Sequence, residues 1–387
     1  MQSIDRRDLR AGLHGAVEIV DSALGLDPRR LPAWTRGQQA DLGIEWMSGH
    51  ALGTSLRLFT RATRVRLHAL VTRNSSSNHP NPAQPASFVA EVHGCVIDRF
   101  DIHQGAVIVE NPDRSWLLNG TARTTVELNL GGKTAHEREI VIWLPHNANV
   151  VILSGDADAP VIASTTAPQR QWVHHGSSIS HCLEANGPLG PWPQQAARSL
   201  GVDLTNLGFA GNSMLDGFVA RVIAAQPADV ITLKLGINLV NDAGFTVRTL
   251  VPALHTFIDL IREGHPRTPL AVITAIACPS HEQMAGPTRE VEPGHYAGSR
   301  AVLSETDGAL TLERTRVLIE RVVHHRSTTD PQLWLLDGRE LFGTMDAHLL
   351  YDDLHPNQEG YDLIAKRFVA LAGDPSRSLG RAFAAVR

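Results

Sequence analysis

The sequence has few cysteines and no long apolar run, and each scarcity excludes a class of protein. Its three cysteines are odd in number and far apart, so they predict neither a disulfide framework nor a metal site: Cys95, Cys182 and Cys278. No apolar run reaches the ~18 residues that a membrane-spanning helix requires. Residues 1–10 lack the apolar core of a signal peptide. We therefore predict a cytoplasmic protein with no membrane partner.

Charge of either sign is also limited. The formal net charge is -5 over 387 residues, which gives no electrostatic reason to expect nucleic acid as a partner. Hydrophobic residues make up 43% and charged residues 19%, the balance of a globular protein. A chain of this length is too long for one ordinary core and suits two domains. The expected partners are small molecules, and nothing in the sequence sets the oligomeric state.

Short strands dominate the first part of the chain, residues 1–168. From Thr54 onward, apolar and polar residues alternate in several runs that Gly, Pro and Asn separate, which predicts an antiparallel β-sandwich. Before Thr54, the runs 17–20 and 44–47 are also interpreted as short strands. This domain could recognise a carbohydrate or other substrate. Because no aromatic platform is evident, we favour a structural role, such as walling off an active site.

The second part, residues 169–387, shows strands that alternate with helices. Buried strands are expected near 202–207, 229–235, 269–276 and 333–336, with amphipathic helical segments between them. Repeated β-α-β units predict a parallel sheet with helices on both faces, an α/β fold. In such sheets ligands bind at the carboxyl ends of the strands. Functional residues are therefore sought at those ends.

Four polar segments lie after predicted strands of this second part. They are Gly176-Ser177-Ser178, residues 206–213, Leu235-Gly236-Ile237-Asn238, and Asp352-Asp353-Leu354-His355-Pro356. Together they supply the groups that nucleophilic acyl transfer needs. A serine hydroxyl is a poor nucleophile until a base such as His355 takes its proton. A carboxylate such as Asp352 would hold that imidazole in the right tautomer and stabilise its charged form.

The oxyanion of such a reaction also needs donors that are already in place. The N–H groups of Ser178 and Gly211 and the side-chain amide of Asn238 could supply three. No third ligand at a defined spacing accompanies His174 and His175, so no zinc site is predicted, and one of the two is expected to be packed and the other exposed. Cys182 is interpreted as a buried residue rather than a nucleophile.

In this order, the four segments resemble the conserved blocks of the SGNH (GDSL-type) hydrolase superfamily over roughly residues 170–373. The resemblance implies a three-layer α/β/α, flavodoxin-like catalytic domain. It further implies Ser178 as nucleophile, Asp352 and His355 as the rest of a triad, and Ser178, Gly211 and Asn238 as the oxyanion hole. Two positions depart from the family pattern, with Ser177 and Leu239 where it has Asp. Two alternatives stay open: Ser177 as nucleophile and Asp353 as the orienting carboxylate.

The substrate is less clearly indicated. Residues 277–308 are expected to form a long irregular loop, either a lid or a disordered excursion. Candidates for an apolar acyl pocket, each also a candidate for the core, are Trp172, Trp192, Met214, Leu215, Leu239 and Met284.

The two-domain layout, together with the residues around Ser178 and Gly211, resembles a salicylyl acyltransferase type of tetracycline biosynthesis. That resemblance implies acyl transfer from a coenzyme A thioester to a polyketide hydroxyl, with coenzyme A entering only as part of the donor and with no cofactor. The alternative is a carboxylesterase or carbohydrate deacetylase of the same fold. A non-catalytic binding protein is a third hypothesis, against which the intact serine, histidine and aspartate argue.

Overall fold

The computed structural model describes residues 1–39, 42–76, 84–110, 116–120, 122–132, 134–164, 169–302 and 308–384. The chain forms two compact units. The first comprises Met1–Trp34, Glu45–Pro168 and Asn186–Leu189. The second comprises Thr35–Ile44, Gln169–Ala185 and Gly190–Arg387.

The chain up to residue 164 is mainly β-structure. Its strands are β1 Gln2–Ser3, β2 Leu13–His14, β3 Glu18–Asp21, β4 Leu26–Arg29, β5 Ser55–Thr60, β6 Arg64–Ser76, β7 Ala86–Val92, β8 Cys95–Ile102, β9 Ala106–Glu110, β10 Trp116–Asn119, β11 Arg123–Asn129, β12 Arg138–Trp143, β13 Ala148–Ala157 and β14 Val161–Ala163. Its helices are α1 Arg6–Gly12, a 3-10 helix Ala33–Gln38 and α2 Leu42–Gly49.

These strands build two sheets around one apolar core. One sheet has the order β10-β9-β6-β13-β4-β3, with β1 paired to β13 and β11 paired to β6. The other has the order β14-β5-β12-β7-β8, with β2 paired to β5. Side chains from both sheets form a single buried cluster, among them Leu67 and Val150 of the first sheet and Leu56, Phe88 and Ile142 of the second. The β-sandwich expected from the alternating pattern is thus present.

One expected strand of this region is wrong. Residues 44–47 lie in α2, where Ile44 and Met47 are three positions apart and both are buried. A four-residue run has too few positions to distinguish a period of two from one of 3.6. The expected strand at 17–20 is present as β3, shifted by one residue.

The chain from residue 169 alternates strands with helices. The strands are β15 Gln171–Gly176, β16 Asp203–Gly208, β17 Val230–Lys234, β18 Leu270–Ile273, β19 Met284–Glu292, β20 His295–Ala301 and β21 Leu333–Leu336. The helices are α3 Ser178–His181, α4 Trp192–Leu200, α5 Gly217–Ala225, α6 Ile237–Asn241, α7 Val247–Gly264, α8 Pro279–Glu282, α9 Leu312–Ser327, α10 Gln358–Gly373 and α11 Ser378–Ala384, with 3-10 helices at Gly338–Glu340 and Thr344–Leu349.

Five parallel strands form the central sheet, in the order β16-β15-β17-β18-β21. Helices cover both faces, as the contacts of β15 show, since its successive side chains point to opposite sides. On one side, Trp172 contacts Trp192 of α4, Phe368 of α10 and Phe383 of α11. On the other side, His175 contacts Phe257 of α7. The second unit is therefore the three-layer α/β/α domain that the sequence indicated.

The prediction of an irregular loop at 277–308 is wrong for the residues that the structure describes. They contain α8 and an antiparallel hairpin of β19 and β20, and 303–307 lie outside the described residues. The strands are hard to recognise in the sequence because Gly286 and Pro287 interrupt the first one. These two residues fall where the pairing shifts between Ala285 and Thr288. Pro cannot donate to a ladder, so it is tolerated at such an irregularity. Gly294 makes the turn with a φ of 80°.

None of the described helices is long and apolar enough to cross a membrane.

The packing of Phe368 against Trp172 of β15 leads to a prediction about stability. Phe368 is fully buried and stacks on Trp172 at 5.0 Å between ring centroids. Replacing it by alanine leaves a cavity and should cost roughly 3–5 kcal/mol of the free energy of unfolding. Met345→Ala is the control, because Met345 is 89% exposed and should change stability by less than about 0.5 kcal/mol. Urea denaturation of both variants measures this, and equal midpoints would contradict the packing described.

Candidate active site

Ser178 stands at the carboxyl end of β15, at the first position of α3. Ser177 precedes it as the N-cap, and its hydroxyl accepts from the Ile179 N–H at 3.4 Å. Gly176 makes the turn possible, because a Cβ there would lie 2.3 Å from Ser180 Oγ. The glycine and the cap therefore place the Ser178 hydroxyl at the carboxyl end of the sheet, where the residue keeps 8% exposure.

His355 faces this hydroxyl. Its Nε2 lies 2.9 Å from Ser178 Oγ, and its Nδ1 lies 2.7 Å from Asp352 Oδ2. The ring of Tyr351 stacks beside it, with centroids 6.3 Å apart. The structure thus brings together three residues from two segments that are far apart in the sequence.

Asp352 is held by the loop that it opens. Its second oxygen, Oδ1, accepts the N–H of Leu354 at 3.0 Å and the N–H of His355 at 2.6 Å. The side chain is buried, so three hydrogen bonds replace the water that it loses. Asp353 has a φ of 66° and turns its carboxylate away to His295 Nδ1, 2.8 Å distant. Of the two adjacent carboxylates, only Asp352 contacts His355.

The electrostatics of the pair follow from burial and proximity. Burial alone would lower the pKa of His355, but the charge and hydrogen bond of Asp352, with the charge of Glu184, raise that pKa to about 9. Burial alone would raise the pKa of Asp352, but the charge of His355 and the hydrogen bonds donated to the carboxylate hold that pKa below its usual value.

Three donors predicted from the sequence have no acceptor among the described residues: the N–H of Ser178, the N–H of Gly211 and Nδ2 of Asn238. Asn238 lies in α6, where its Oδ1 accepts the Ser213 N–H at 3.1 Å, which fixes the amide so that Nδ2 is the unused end. Gly211 has a φ of 71°, a conformation that suits glycine. The described residues thus leave these three N–H donors unused.

The expectation for His174 and His175 is wrong, since both are buried. His174 Nδ1 lies 2.7 Å from Thr232 Oγ1, and its Nε2 lies 2.8 Å from Ser180 Oγ. Because helices cover both faces of the sheet, both side chains of this pair enter a core. The parallel sheet predicted from the sequence already implies burial of both histidines.

His175 has a supporting position that the sequence analysis missed. Its Nδ1 donates to the Leu207 carbonyl at 2.7 Å, so Nε2 accepts the Ser213 hydroxyl at 3.2 Å. Burial lowers the pKa of His175 to about 4, so the ring is neutral at ordinary pH. Ser213 in turn donates its N–H to Asn238. A neutral histidine thereby helps to hold the amide of Asn238.

The other candidate side chains have structural positions. Cys182 is buried, its thiol donates to the Ile179 carbonyl at 3.3 Å, and burial raises the pKa of that thiol. Trp172 and Trp192 are fully buried in the aromatic core. Leu239 lines a cavity of about 360 Å³ with residues of α6 and β19, among them Val240 and Ala285. In the part of the chain that the structure describes, no three His, Cys, Asp or Glu side chains form a metal-binding group.

The second part of the chain matches a known protein family. Residues 175–363 match the GDSL-like lipase/acylhydrolase family, a span that includes Ser178, Gly211, Asn238, Asp352 and His355. A search of curated proteins gives no match.

Solved structures share the fold of the chain. The salicylyl-acyltransferase SsfX3 from a tetracycline biosynthetic pathway is 23% identical, with 92% of each chain covered and a TM-score of 0.74. A protein of Bacteroides ovatus described as a GDSL-like lipase is 18% identical, with 96% of this chain and 97% of that chain covered and a TM-score of 0.68. A family two carbohydrate esterase from Clostridium thermocellum, in complex with cellohexaose, is 15% identical, with 83% and 92% covered and a TM-score of 0.57.

The raised pKa of His355 can be tested directly. In the wild-type protein, NMR titration of the imidazole Cε1–H should give a pKa of about 9. Asp352→Asn removes the charge that opposes burial, so the pKa of His355 should fall below the usual value of about 6.5. His355→Gln assigns the resonance. An unchanged pKa in Asp352→Asn would show that the carboxylate does not set the charge of this ring.

Proposed function

From the place of residues 175–363 in the SGNH (GDSL-type) hydrolase superfamily, we infer an acyl-transferring enzyme and propose Ser178 as its nucleophile. His355 would act as general base and acid, and Asp352 would orient it. The observation that supports this most strongly is the hydrogen-bonded line from Ser178 Oγ to His355 at 2.9 Å and on to Asp352 at 2.7 Å.

The first half of the proposed reaction forms an acyl-enzyme. In the form of the enzyme whose His355 ring is neutral, Ser178 Oγ attacks the carbonyl carbon of the donor while its proton passes to His355 Nε2. The carbonyl π electrons move to oxygen, and the N–H groups of Ser178 and Gly211, with Nδ2 of Asn238, receive the oxyanion. When the tetrahedral intermediate collapses, the bond to the leaving group breaks and His355 returns the proton to that group. The acyl group then remains as an ester on Ser178.

The second half reverses these roles for an acceptor. His355 takes the proton of an acceptor O–H, whose oxygen attacks the acyl-Ser178 carbonyl. The ester bond to Ser178 then breaks, and His355 returns the proton to Ser178 Oγ. If the acceptor is another molecule's hydroxyl, the enzyme is a transferase; if it is water, the enzyme is a hydrolase. The same side chains serve both reactions.

For the donor and acceptor, we propose an aryl acyl group such as salicylyl, carried by a coenzyme A thioester, and a hydroxyl of a polyketide-type natural product. This is supported by the similarity to the salicylyl-acyltransferase SsfX3, whose alignment covers 92% of both chains and so spans both units. Coenzyme A would be part of a substrate and not a resident cofactor. The cavity beside Leu239, of about 360 Å³, offers apolar walls close in sequence to Asn238.

The alternative is a carboxylesterase or carbohydrate deacetylase whose β-sandwich holds a sugar. It is supported by the similarity to the family two carbohydrate esterase in complex with cellohexaose, over 83% of this chain. The acyltransferase proposal is preferred because its relative aligns over more of the chain, with a TM-score of 0.74 against 0.57.

The nucleophile can be identified by intact-protein mass spectrometry. Mixing the protein with a panel of acyl-coenzyme A thioesters, salicylyl-coenzyme A among them, should add the mass of one acyl group. Ser178→Ala should abolish this adduct, whereas Ser177→Ala should keep it, because Ser177 Oγ caps α3 and only Ser178 contacts His355. An adduct that survives in Ser178→Ala would reject the assignment. No adduct and no thioester turnover would favour the esterase, which acetylated sugars and simple esters then test.

Transfer and hydrolysis are separated in the same system. Candidate polyketide alcohols are added to the acylated protein, and the products are identified. Esterified acceptor formed faster than free acid supports a transferase, and free acid alone supports a hydrolase.

Asn238 offers a test of the oxyanion donors. Asn238→Ala removes a donor that acts on the oxyanion, so kcat should fall by roughly 10²–10³. Asn238→Asp keeps the shape and the acceptor for the Ser213 N–H. It places a carboxylate where a donor is needed, so kcat should fall at least as far. Steady-state kinetics on p-nitrophenyl acetate measure both variants, and wild-type kcat in either one would remove Asn238 from the mechanism.

A further inference from the structure

Hydrogen bonds outside the proposed triad connect the loop of Asp352 and His355 to helix α6, which carries Asn238. Ser280 Oγ lies 2.8 Å from the carbonyl oxygen of Asp353 and 2.8 Å from His281 Nδ1. His281 Nε2 lies 2.8 Å from Thr288 Oγ1. Thr288 Oγ1 donates to Asn241 Oδ1 at 3.0 Å. The path thus begins one residue after Asp352 and ends three residues after Asn238.

At the centre of this path, the donor and acceptor of each hydrogen bond can be assigned. Thr288 has one hydroxyl proton and gives it to Asn241, so it accepts from His281, and Nε2 of His281 carries the ring proton. Nδ1 is then an acceptor. Burial and the charge of His355 lower the pKa of His281 to about 4, which agrees with a neutral ring. The tautomer is therefore set by Thr288.

At the loop end, two side chains share two acceptors. The hydroxyl of Ser280 can donate its one proton either to the Asp353 carbonyl oxygen or to His281 Nδ1. Cys278 Sγ lies 3.3 Å from the Asp353 carbonyl oxygen and 3.5 Å from His281 Nδ1, so its thiol can donate to whichever of these two acceptors Ser280 does not use. Both acceptors are satisfied in either arrangement. This completeness matters because His281 is fully buried and an unpaired nitrogen there would be costly.

The backbone of the β19–β20 hairpin, which carries Thr288, also contacts the elements at both ends of this hydrogen-bonded path. Tyr296 of β20 donates its N–H to the Asp352 carbonyl at 3.0 Å. Gly286 of β19 lies so close to α6 that a Cβ there would be 1.8 Å from the Val240 carbonyl oxygen. The hairpin therefore lies directly against the loop of the acid–base pair and against the helix of the amide donor.

We propose that His281 and Thr288 are positioning residues that hold the Asp352–His355 loop and helix α6 at the spacing the reaction needs. This inference rests on the proposed function, in which the two elements supply the base and an oxyanion donor. Neither His281 nor Thr288 is assigned contact with the substrate. Their loss should therefore act on the chemical step and leave substrate binding largely unchanged.

The test uses an isosteric pair at Thr288, with p-nitrophenyl acetate as the probe. Thr288→Val removes the hydroxyl without changing the shape and breaks the path at its centre. A small misplacement of catalytic groups can cost up to about 10²-fold, so we expect kcat to fall at least about 10-fold with KM within about 2-fold. Thr288→Ser restores the hydroxyl and should return kcat to within about 2-fold of wild type. His281→Phe, which keeps a ring without its nitrogens, should resemble Thr288→Val.

Thr315→Val is the matched control. Thr315 is also a buried threonine, but its hydroxyl donates at 2.7 Å to the carbonyl of Thr311, the N-cap of α9, and takes no part in the path. It should lose a comparable amount of thermal stability with kcat within about 2-fold of wild type. An equal loss of kcat in Thr315→Val would overturn the proposal, because general destabilisation would then explain both variants. Unchanged kcat in Thr288→Val, or a rise in KM alone, would overturn it too.

Failure of the proposed function is distinguishable from failure of this inference. Ser178→Ala is measured beside the other variants. If Ser178→Ala keeps wild-type turnover, the proposed function falls, and the positioning role falls with it. If Ser178→Ala is inactive while Thr288→Val equals wild type, the inference alone falls.

Discussion

The burial of one carboxylate, Asp352, governs the arrangement around it. A charged group that loses its water must regain equivalent hydrogen bonds, and Asp352 takes all of them from its own loop: two N–H groups on Oδ1 and the imidazole of His355 on Oδ2. Because the N–H donors and the imidazole come from the next three residues, the loop must curl tightly. Asp353 accordingly adopts a left-handed conformation and faces outward. The orientation of His355 toward Ser178 follows from that curl.

The parallel sheet supplies the second constraint. Helices cover both of its faces, so polar side chains that point to either face cannot reach bulk water and must find partners inside the protein. His174 and His175, on opposite faces of β15, both do so, and each ends on a serine near the site. Buried histidines that are neutral and fully hydrogen-bonded give a rigid setting for the hydroxyl of Ser178. Rigidity of this kind is what preorganised donors require.

Short or irregular segments that depend on distant partners are where the structure differs from the sequence-based predictions. Residues 44–47 are too few to show a helical period. In the structure they belong to α2, and Ile44 and Met47 are both buried. The β19–β20 hairpin was hidden by Gly286, Pro287 and charged residues such as Glu290 and Glu292. It forms because its strands pair with each other and pack on α6 and the Asp352 loop. The pairing is local in sequence, but α6 and the Asp352 loop are far from the hairpin along the chain.

The sequence by itself determined the fold class and the residues from which the site is built. Before about residue 169 the apolar residues recur mainly every second position, as in strands; after it, strand-like runs alternate with helical segments of period 3.6. Such periods are local properties of the sequence and can be recognised without knowledge of tertiary contacts. The spacing of Asp352 and His355 is local as well. Only the tertiary structure decided that Ser178 rather than Ser177 contacts His355, that Asp352 rather than Asp353 binds its ring, and that Asn238 keeps a free donor. Each of these depends on the direction of a side chain across residues far apart in the chain, which burial and hydrogen-bond partners determine and spacing does not.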